Sequence, residues 1–195
     1  MDSDQPSTGD APARDAAATR RRILDAATAE FSESGLAGGR VGRIAERARA
    51  NQRMIYAYFG SKDGLFEAVL AEQVLQAQTA VVFDAEDLPG YACQVFDFYR
   101  EHPRMVRLNL WQALERPDLL KSLAPVERAM ADKVAGIAAA QAAGKVSPAL
   151  PADRVLDLVL ALTYGNVAQA GNAAAWTDDQ RTALAIAVAR LTAPQ

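Results

Sequence analysis

Three neighbouring side chains, Gln52, Arg53 and Met54, combine hydrogen-bonding and apolar groups of the kind that contact the edges of nucleic acid bases. An arginine can donate two hydrogen bonds to O6 and N7 of guanine, and a glutamine can bind N6 and N7 of adenine in the same bidentate way. The apolar tip of Met54 can contact the methyl group of thymine. The chemistry predicted for this tripeptide is therefore direct recognition of base pairs.

Residues on either side of this tripeptide carry groups that bind phosphate. The hydroxyl groups of Tyr56 and Tyr58 can donate to phosphate oxygens, which positions a protein on a duplex without reading its sequence. Lys62 lies in the first turn of a predicted helix, where its ammonium group and the free backbone N–H groups can hold one phosphate together. Arg40 and Arg43 precede the tripeptide and are predicted to add further phosphate contacts. Asn51, directly before the tripeptide, belongs to the same predicted set of DNA-binding residues.

The charge of the chain is distributed unevenly along it. The net charge is −3, but residues 14–62 carry ten basic and five acidic side chains, whereas residues 63–195 carry eleven basic and sixteen acidic ones. A basic segment in an acidic protein is typical of a surface that binds a polyanion, although many solvated helices are also locally basic. The charge pattern favours nucleic acid binding by the N-terminal part but does not establish it alone.

The spacing of apolar residues predicts an all-α fold with about nine helices, because these residues recur every three or four positions and strand-like alternation is absent. Three helices come first, from about Thr19 to a stop at Gly35, over Val41–Ala48, and over Gln52–Phe59. Asn51 is the predicted N-cap of the third helix, since its side chain can accept from a free backbone N–H group. Capping residues and prolines predict later helices that begin at Ser61 and lie near residues 89–101, 103–115, 117–143, 151–174 and 177–191.

Two short helices joined by a tight turn, Val41–Ala48 and Gln52–Phe59, are typical of a helix-turn-helix, whose second helix lies in the major groove of DNA. The surrounding sequence, TRRRILDAATAEFSESGLAGGRVGRIAERARANQRMIYAYFGSKDGLFEAVL, resembles the N-terminal signature of the tetracycline-repressor-like (TetR-like, AcrR-type) family of transcriptional regulators. The segment YACQVFDFYREHPRMVRLNLWQALE resembles one of the C-terminal types of that family. The matching N-terminal positions are Ile23-Leu24-Asp25-Ala26-Ala27, Phe31, Gly35, Ile44-Ala45, Ala48, Tyr56, Phe59, Lys62 and Leu65.

The sequence departs from the family pattern at the turn and before the second helix. Arg49 stands where glycine is common, so an arginine must adopt the backbone of the turn without the freedom of glycine. Ala50-Asn51 replaces a common Val-Ser pair, and Gly38-Gly39-Arg40 replaces a region that often holds a phosphate-binding threonine. Arg40 or Arg43 is predicted to substitute for that threonine. The DNA sequence that is recognised therefore cannot be transferred from relatives.

The resemblance implies two functional regions behind a polar N-terminal segment. The composition of residues 1–15 predicts a disordered tail, and the resemblance implies a helix-turn-helix DNA-binding domain over residues 16–62. Residues 63–195 are then a ligand-binding and dimerisation domain. Residues 153–175 are apolar on more than one face, and such a helix needs burial on both sides, as in a subunit interface. The expected protein is a homodimer, joined through its last two helices, that binds a palindromic operator in double-stranded DNA.

A repressor of this type is expected to be released from DNA by a small, largely apolar effector molecule. Candidate effector contacts are side chains that mix aromatic area with a few polar groups, although each type is also common in an ordinary core. They are Phe96, Tyr99, His102, Asn109, Trp111, Gln112, Glu115, Met130, Tyr164 and Asn166.

Several classes of protein are disfavoured by the composition. One cysteine and one histidine cannot build a structural zinc site, no catalytic triad is recognisable, and we expect no metal, no cofactor and no enzymatic activity. The sequence lacks a secretory signal and a membrane span, so we expect a cytoplasmic protein. Two alternatives stay open: a regulator that activates or answers a protein partner, and a helical enzyme or lipid carrier with an incidental basic segment.

Overall fold

The structure, a computed structural model, describes residues 10–169 and 177–194, with side chains from Arg14 to Gly165 and from Thr177 to Pro194. Within these ranges every regular element is an α-helix, which confirms the predicted all-α fold. The chain divides into two compact units, Met1–Val69 and Leu70–Gln195.

The first unit contains the three helices expected at the N-terminal end and the beginning of a fourth. They are α1 (Asp10–Gly38), α2 (Val41–Arg47), α3 (Gln52–Phe59) and the first part of α4 (Lys62–Ala80). The rings of Phe31 in α1 and Phe66 in α4 meet edge to face, with 5.2 Å between their centroids. Ile44 in α2 and Ile55 in α3 are fully buried in the same unit. The inner faces of α2 and α3 are thereby fixed, and their outer faces are left to solvent.

The second unit is built around α5, which packs against α6, α9 and α10. Aromatic side chains on α5, among them Phe96 and Phe98, form the centre of its buried core. The helices are α5 (Leu88–Glu101), α6 (Pro103–Glu115), α7 (Leu119–Ser122), α8 (Ala124–Ala142), α9 (Ala152–Gln169) and α10 (Asp178–Thr192).

The beginning of α1 differs from the expectation. The helix starts at Asp10 and not near Thr19, so the predicted tail over residues 1–15 is helical from Asp10 onward, while residues 1–9 lie outside the described residues. The alanine-rich segment 11–18 explains the difference, because alanine has the strongest helix propensity. Gly35, predicted as a stop, is a kink with φ 69° and ψ −175°, after which α1 continues to Gly38.

The segment predicted as one helix near residues 117–143 forms two, α7 and α8, and the described residues therefore hold ten helices where about nine were predicted. Leu123 separates the two with an extended backbone, φ −73° and ψ 117°. Pro125 lies in the first turn of α8, and a proline lacks an N–H group and clashes with a preceding helical turn. The break falls just before the proline for this reason.

Candidate functional site

The turn between α2 and α3 has the cap and the backbone that its sequence requires. The Asn51 side chain accepts a hydrogen bond from the backbone N–H of Met54 at 2.8 Å, which confirms the predicted cap of α3. Arg49 has φ 51°. Among the described residues it is the only one, other than glycines, whose φ is positive. The turn thus holds an arginine in the left-handed conformation that glycine adopts more easily.

We expect Arg49→Gly to raise the free energy of unfolding of the first unit by up to about 1 kcal/mol. A left-handed backbone costs a non-glycine residue about 1–2 kcal/mol, and the greater entropy of an unfolded glycine offsets part of the gain. Urea unfolding followed by circular dichroism measures the change. Arg49→Ala, which removes the side chain and keeps the strain, is the control and should show no such gain. A less stable Arg49→Gly protein would mean that the turn is not strained.

The outer face of α3 presents the side chains predicted to contact bases. Gln52 and Arg53 are exposed in its first turn, and Met54 beside them is half-buried. Tyr56 and Tyr58 are also exposed, at 45% and 38%. Ile55, by contrast, is fully buried and anchors the opposite face. The helix therefore combines a fixed inner face with an outer face of hydrogen-bonding groups.

Lys62 lies at the start of α4, where a phosphate contact is predicted. The Ser61 hydroxyl accepts a hydrogen bond from the backbone N–H of Gly64 at 2.9 Å, as expected for an N-cap. The ammonium of Lys62 donates to the carbonyl oxygen of Ala37 at 3.1 Å, which tethers the side chain to the last turn of α1. The side chain is half-buried, so a phosphate would reach an ammonium group that is already positioned.

Glu30 is a buried acidic residue that links α1 to the start of α2, and it was not among the predicted site residues. Its side chain is 1% exposed, and its Oε1 accepts from the backbone N–H of Arg40 at 2.9 Å and from Nε of Arg43 at 2.8 Å. The Arg40 side chain forms no capping hydrogen bond at the start of α2. The Glu30 carboxylate on α1 caps this helix instead, by accepting from the backbone N–H of Arg40. The guanidinium of Arg43 is held in this ion pair although its side chain is 47% exposed, and the exposed Arg40 side chain forms no such pair with Glu30.

The sequence did contain a signal for this burial. Glu30 lies four residues after Ala26 and three after Ala27, on the apolar face of α1. An acidic residue on an apolar face is buried only when it is paired, which makes a basic partner the expected feature.

Glu30→Gln is expected to lower the free energy of unfolding at pH 7 by about 1–3 kcal/mol, because hydrogen bonds to a charged group are lost. Burial raises the pKa of Glu30. The hydrogen bonds from Arg40 and Arg43 and the charges of Arg43 and Arg47 together lower this pKa by more than burial raises it, to a net value below 4.5. The charged carboxylate therefore contributes stability above about pH 4.5, and the contribution is lost as the pH falls through the pKa of the folded state.

Denaturant unfolding of both proteins across the acidic range measures this effect, and the two curves should converge at low pH. Glu33→Gln is the matched control, since Glu33 pairs with Arg47 at 3.3 Å with a side chain that is 54% exposed. Such an exposed pair contributes less than about 1 kcal/mol. Equal effects of the two substitutions, or a constant difference at every pH, would refute the role assigned to Glu30.

The second unit contains a cavity of about 110 Å³ that opens to solvent. Four of the predicted effector contacts, Tyr99, Asn109, Met130 and Tyr164, line it. The hydroxyl groups of Tyr99 and Tyr164 are 3.2 Å apart, and the Asn109 amide donates to the Tyr99 hydroxyl at 3.1 Å. Burial raises the pKa of both phenols, so both stay protonated at neutral pH.

The other predicted effector contacts do not line this cavity. Phe96 is fully buried in the core, and the ring of His102 stacks on Phe98 with 4.3 Å between centroids. Gln112 is buried and donates from Nε2 to the carbonyl oxygen of Arg116. The remaining three are Trp111 and Glu115, which are half-buried away from the cavity lining, and Asn166, whose side chain lies outside the described residues.

The last two helices carry exposed apolar side chains in addition to those that they bury. On α9, Leu158 is 41% exposed and Leu162 is 38% exposed, one helical turn apart. Ala161 lies between them and is exposed as well. On α10, Ile186 is 48% exposed. Buried Val155, Leu156 and Val159 occupy the other side of α9, so this helix has apolar residues on two faces.

Two further features are absent from the part of the chain that the structure describes. No group of three histidine, cysteine, aspartate or glutamate side chains there is arranged to hold a metal ion. No described helix combines the length and apolarity needed to span a lipid bilayer.

Two family models match the chain. Residues 23–69 match the model described as bacterial regulatory proteins, tetR family, and residues 87–190 match the model described as tetracyclin repressor-like, C-terminal domain. The first match covers α2 and α3, and the second covers α5 to most of α10.

Individual proteins resemble the chain over most of its length. The HTH-type transcriptional repressor SCO4008 of Streptomyces coelicolor is 39% identical over 151 residues, 77% of this chain and 79% of that protein. The HTH-type transcriptional repressor NicS of Pseudomonas putida is 39% identical over 52% of this chain and 53% of its own length. The crystal structure of the transcriptional regulator SCO4942 from Streptomyces coelicolor superposes with a TM-score of 0.77 at 35% identity, covering 91% of this chain and 99% of that one.

Proposed function

The chain belongs to the TetR family of bacterial regulatory proteins, and we propose that it is a homodimeric repressor whose α3 reads a palindromic operator until an effector releases it. It is a DNA-binding transcriptional regulator and not an enzyme, as its family models and its repressor relatives show together. The alternative of a helical enzyme or lipid carrier is thereby excluded. We assign residues 16–62 to DNA binding, residues 63–195 to effector binding and dimerisation, and the protein to the cytoplasm, where the chromosome lies.

The observation that carries the proposal is the outer face of α3. Gln52 and Arg53 are exposed in the first turn, which is the part of a recognition helix that reaches base edges. The Asn51 cap and the buried Ile55 hold the helix in place, so these side chains are presented on a rigid support. We assign base contacts to Gln52, Arg53 and Met54.

Phosphate contacts are assigned to the residues that surround α3. The exposed hydroxyl groups of Tyr56 and Tyr58 and the tethered ammonium of Lys62 are suited to this role. Arg40, whose side chain is exposed, replaces the phosphate-binding threonine common in the family. We assign Arg43 a smaller share, because its guanidinium already binds Glu30.

Dimerisation is assigned to α9 and α10. An apolar face outside the core of one chain needs a second surface to cover it, and Leu158, Leu162 and Ile186 supply such a face. Two helices from each protomer would form a four-helix bundle around a two-fold axis. A two-fold symmetric dimer presents two recognition helices, which matches the symmetry of a palindromic operator.

Release from DNA is assigned to an effector in the cavity of the second unit. Its lining of aromatic and aliphatic side chains with a few polar groups is the usual composition of a small-molecule site. An effector lowers DNA affinity only if it binds the DNA-free state more tightly than the DNA-bound state. α4 contributes residues to both units and is the segment through which we expect this coupling to act.

Selection from a library of random 30-base-pair duplexes tests the proposal and identifies the operator sequence in the same experiment. The wild-type protein is expected to enrich an inverted repeat with half-sites about one helical turn apart. Mobility-shift assays with genomic fragments provide the independent check. A failure to enrich any repeated half-site would contradict the proposed mode of binding.

A further inference from the structure

Gln73 on α4 is a buried amide without a hydrogen-bond partner. The residue is 6% exposed, and both Nε2 and Oε1 lack a partner among the described residues. A buried amide that forms no hydrogen bond costs folding free energy, because its bonds to water are lost and not replaced. Gln73 is one of the residues that line the cavity, and both of its amide atoms are themselves almost fully buried.

The other polar groups of the cavity do not explain Gln73. The hydroxyl groups of Tyr99 and Tyr164 and the amide of Asn109 bind one another. The ammonium of Lys133 lies 5.6 Å from the centroid of the Phe83 ring. The described lining contains no carboxylate that would attract a cationic molecule, and apart from these groups and Gln78 it is made of apolar and tyrosine side chains.

We infer that the cavity binds an uncharged, largely apolar molecule carrying a primary amide or a lactam, whose adjacent C=O and N–H groups pair with the two amide atoms of Gln73 when that side chain turns toward the cavity. This inference rests on the proposed function, since it names the chemical class of the effector. Gln73 donates through Nε2 and accepts through Oε1, so its complement must accept and donate side by side. A carboxylate only accepts and an ammonium only donates, which leaves one atom of Gln73 unsatisfied in either case. An amide satisfies both.

Two probes of nearly equal shape separate this chemistry from simple apolar binding. 4-Fluorobenzamide carries the donor and the acceptor, whereas 4-fluoroacetophenone replaces the NH₂ group by a methyl group and keeps only the acceptor. Fluorine NMR of each probe with the full-length protein, in the absence of DNA, measures the dissociation constants. We expect the amide to bind at least about tenfold more tightly than the ketone, because the ketone leaves the buried acceptor Oε1 of Gln73 unpaired.

Gln73→Leu is expected to abolish the preference for the amide and to raise the melting temperature, since it removes an unsatisfied amide from an apolar wall. The matched control is Gln141→Leu on α8. Gln141 does not line this cavity, and its Nε2 donates to the carbonyl oxygens of Ser147 and Leu150, both at 2.8 Å. Gln141→Leu should therefore lower the melting temperature and keep the amide preference.

Equal binding of the two probes to the wild-type protein would overturn the inference, as would a Gln73→Leu variant that melts at a lower temperature and still prefers the amide. Neither result bears on DNA recognition, which the duplex selection tests separately. If the amide binds through Gln73 but leaves DNA affinity unchanged, the inference stands and the assignment of this cavity to effector release fails.

Discussion

Arg53→Ala is expected to weaken binding of the selected duplex about 10- to 100-fold, because a bidentate contact between arginine and guanine contributes about 1–3 kcal/mol of discrimination. The side chain is exposed in the first turn of α3, so the substitution removes no packing from the core. Fluorescence anisotropy at a fixed salt concentration measures the dissociation constants. The loss should be concentrated at one base pair of each half-site, where the variant no longer distinguishes guanine from other bases.

Two comparisons show whether Arg53 reads bases or only contributes charge. Lys62→Ala should weaken binding to all DNA sequences to a similar degree, without changing the preferred sequence. It should also lower the slope of log affinity against log salt concentration by about one, the value for one phosphate contact. Arg128→Ala, an exposed arginine on α8, is the control for net charge and should leave both affinity and specificity unchanged. If Arg53→Ala behaved like Lys62→Ala, with uniform loss across sequences, Arg53 would be a phosphate contact.

The double variant Leu158→Asp/Leu162→Asp is expected to be monomeric and to lose at least about 100-fold in affinity for the inverted repeat. The two leucines lie one helical turn apart on α9 and are about two-fifths exposed, so aspartates there are tolerated by the isolated chain. In a dimer interface, however, four buried carboxylates would lack partners. A monomer also loses the linkage of two half-sites, which is worth about 10²–10⁴ in affinity.

Sedimentation equilibrium gives the mass of the variant, and circular dichroism checks that its helices are retained. Leu114→Asp on α6 is the control, since Leu114 is 77% exposed and lies outside α9 and α10. This control should remain dimeric and bind the duplex with the affinity of the wild type. A double variant that is still dimeric would place the interface elsewhere on the chain.

Features determined by neighbouring residues were predicted well from the sequence. The bounds of α3 and its Asn51 cap depend on a few adjacent positions, and the Thr177 side chain likewise caps α10 through the backbone N–H of Gln180. The sequence indicated that Arg49 occupies a turn position where glycine is common, and the structure adds that the backbone there is left-handed, with φ 51°. Local sequence is sufficient in these cases.

Features that depend on distant residues were not predicted. The ion pair of Glu30 with Arg43 joins residues thirteen positions apart, and the phosphate contact predicted for Arg43 did not take this buried partner into account. Gln73 was missed because an amide in an amphipathic helix gives no indication that its neighbours leave it without a partner. Phe96 and Gln112 were assigned to the cavity by residue type, whereas the packing of α5 and α6 places them elsewhere. The contents of the cavity thus required the three-dimensional arrangement.

The spacing of the two half-sites tests the central claim most directly, which is that a two-fold dimer reads a palindrome with paired α3 helices. The measurement compares the affinity of the wild-type protein for the selected inverted repeat with its affinity for the same repeat carrying five additional base pairs between the half-sites. Five base pairs turn one half-site to the opposite face of the duplex. We predict a loss of at least about 100-fold, to the affinity of a single half-site. Equal affinity for the two duplexes would contradict paired recognition by a dimer.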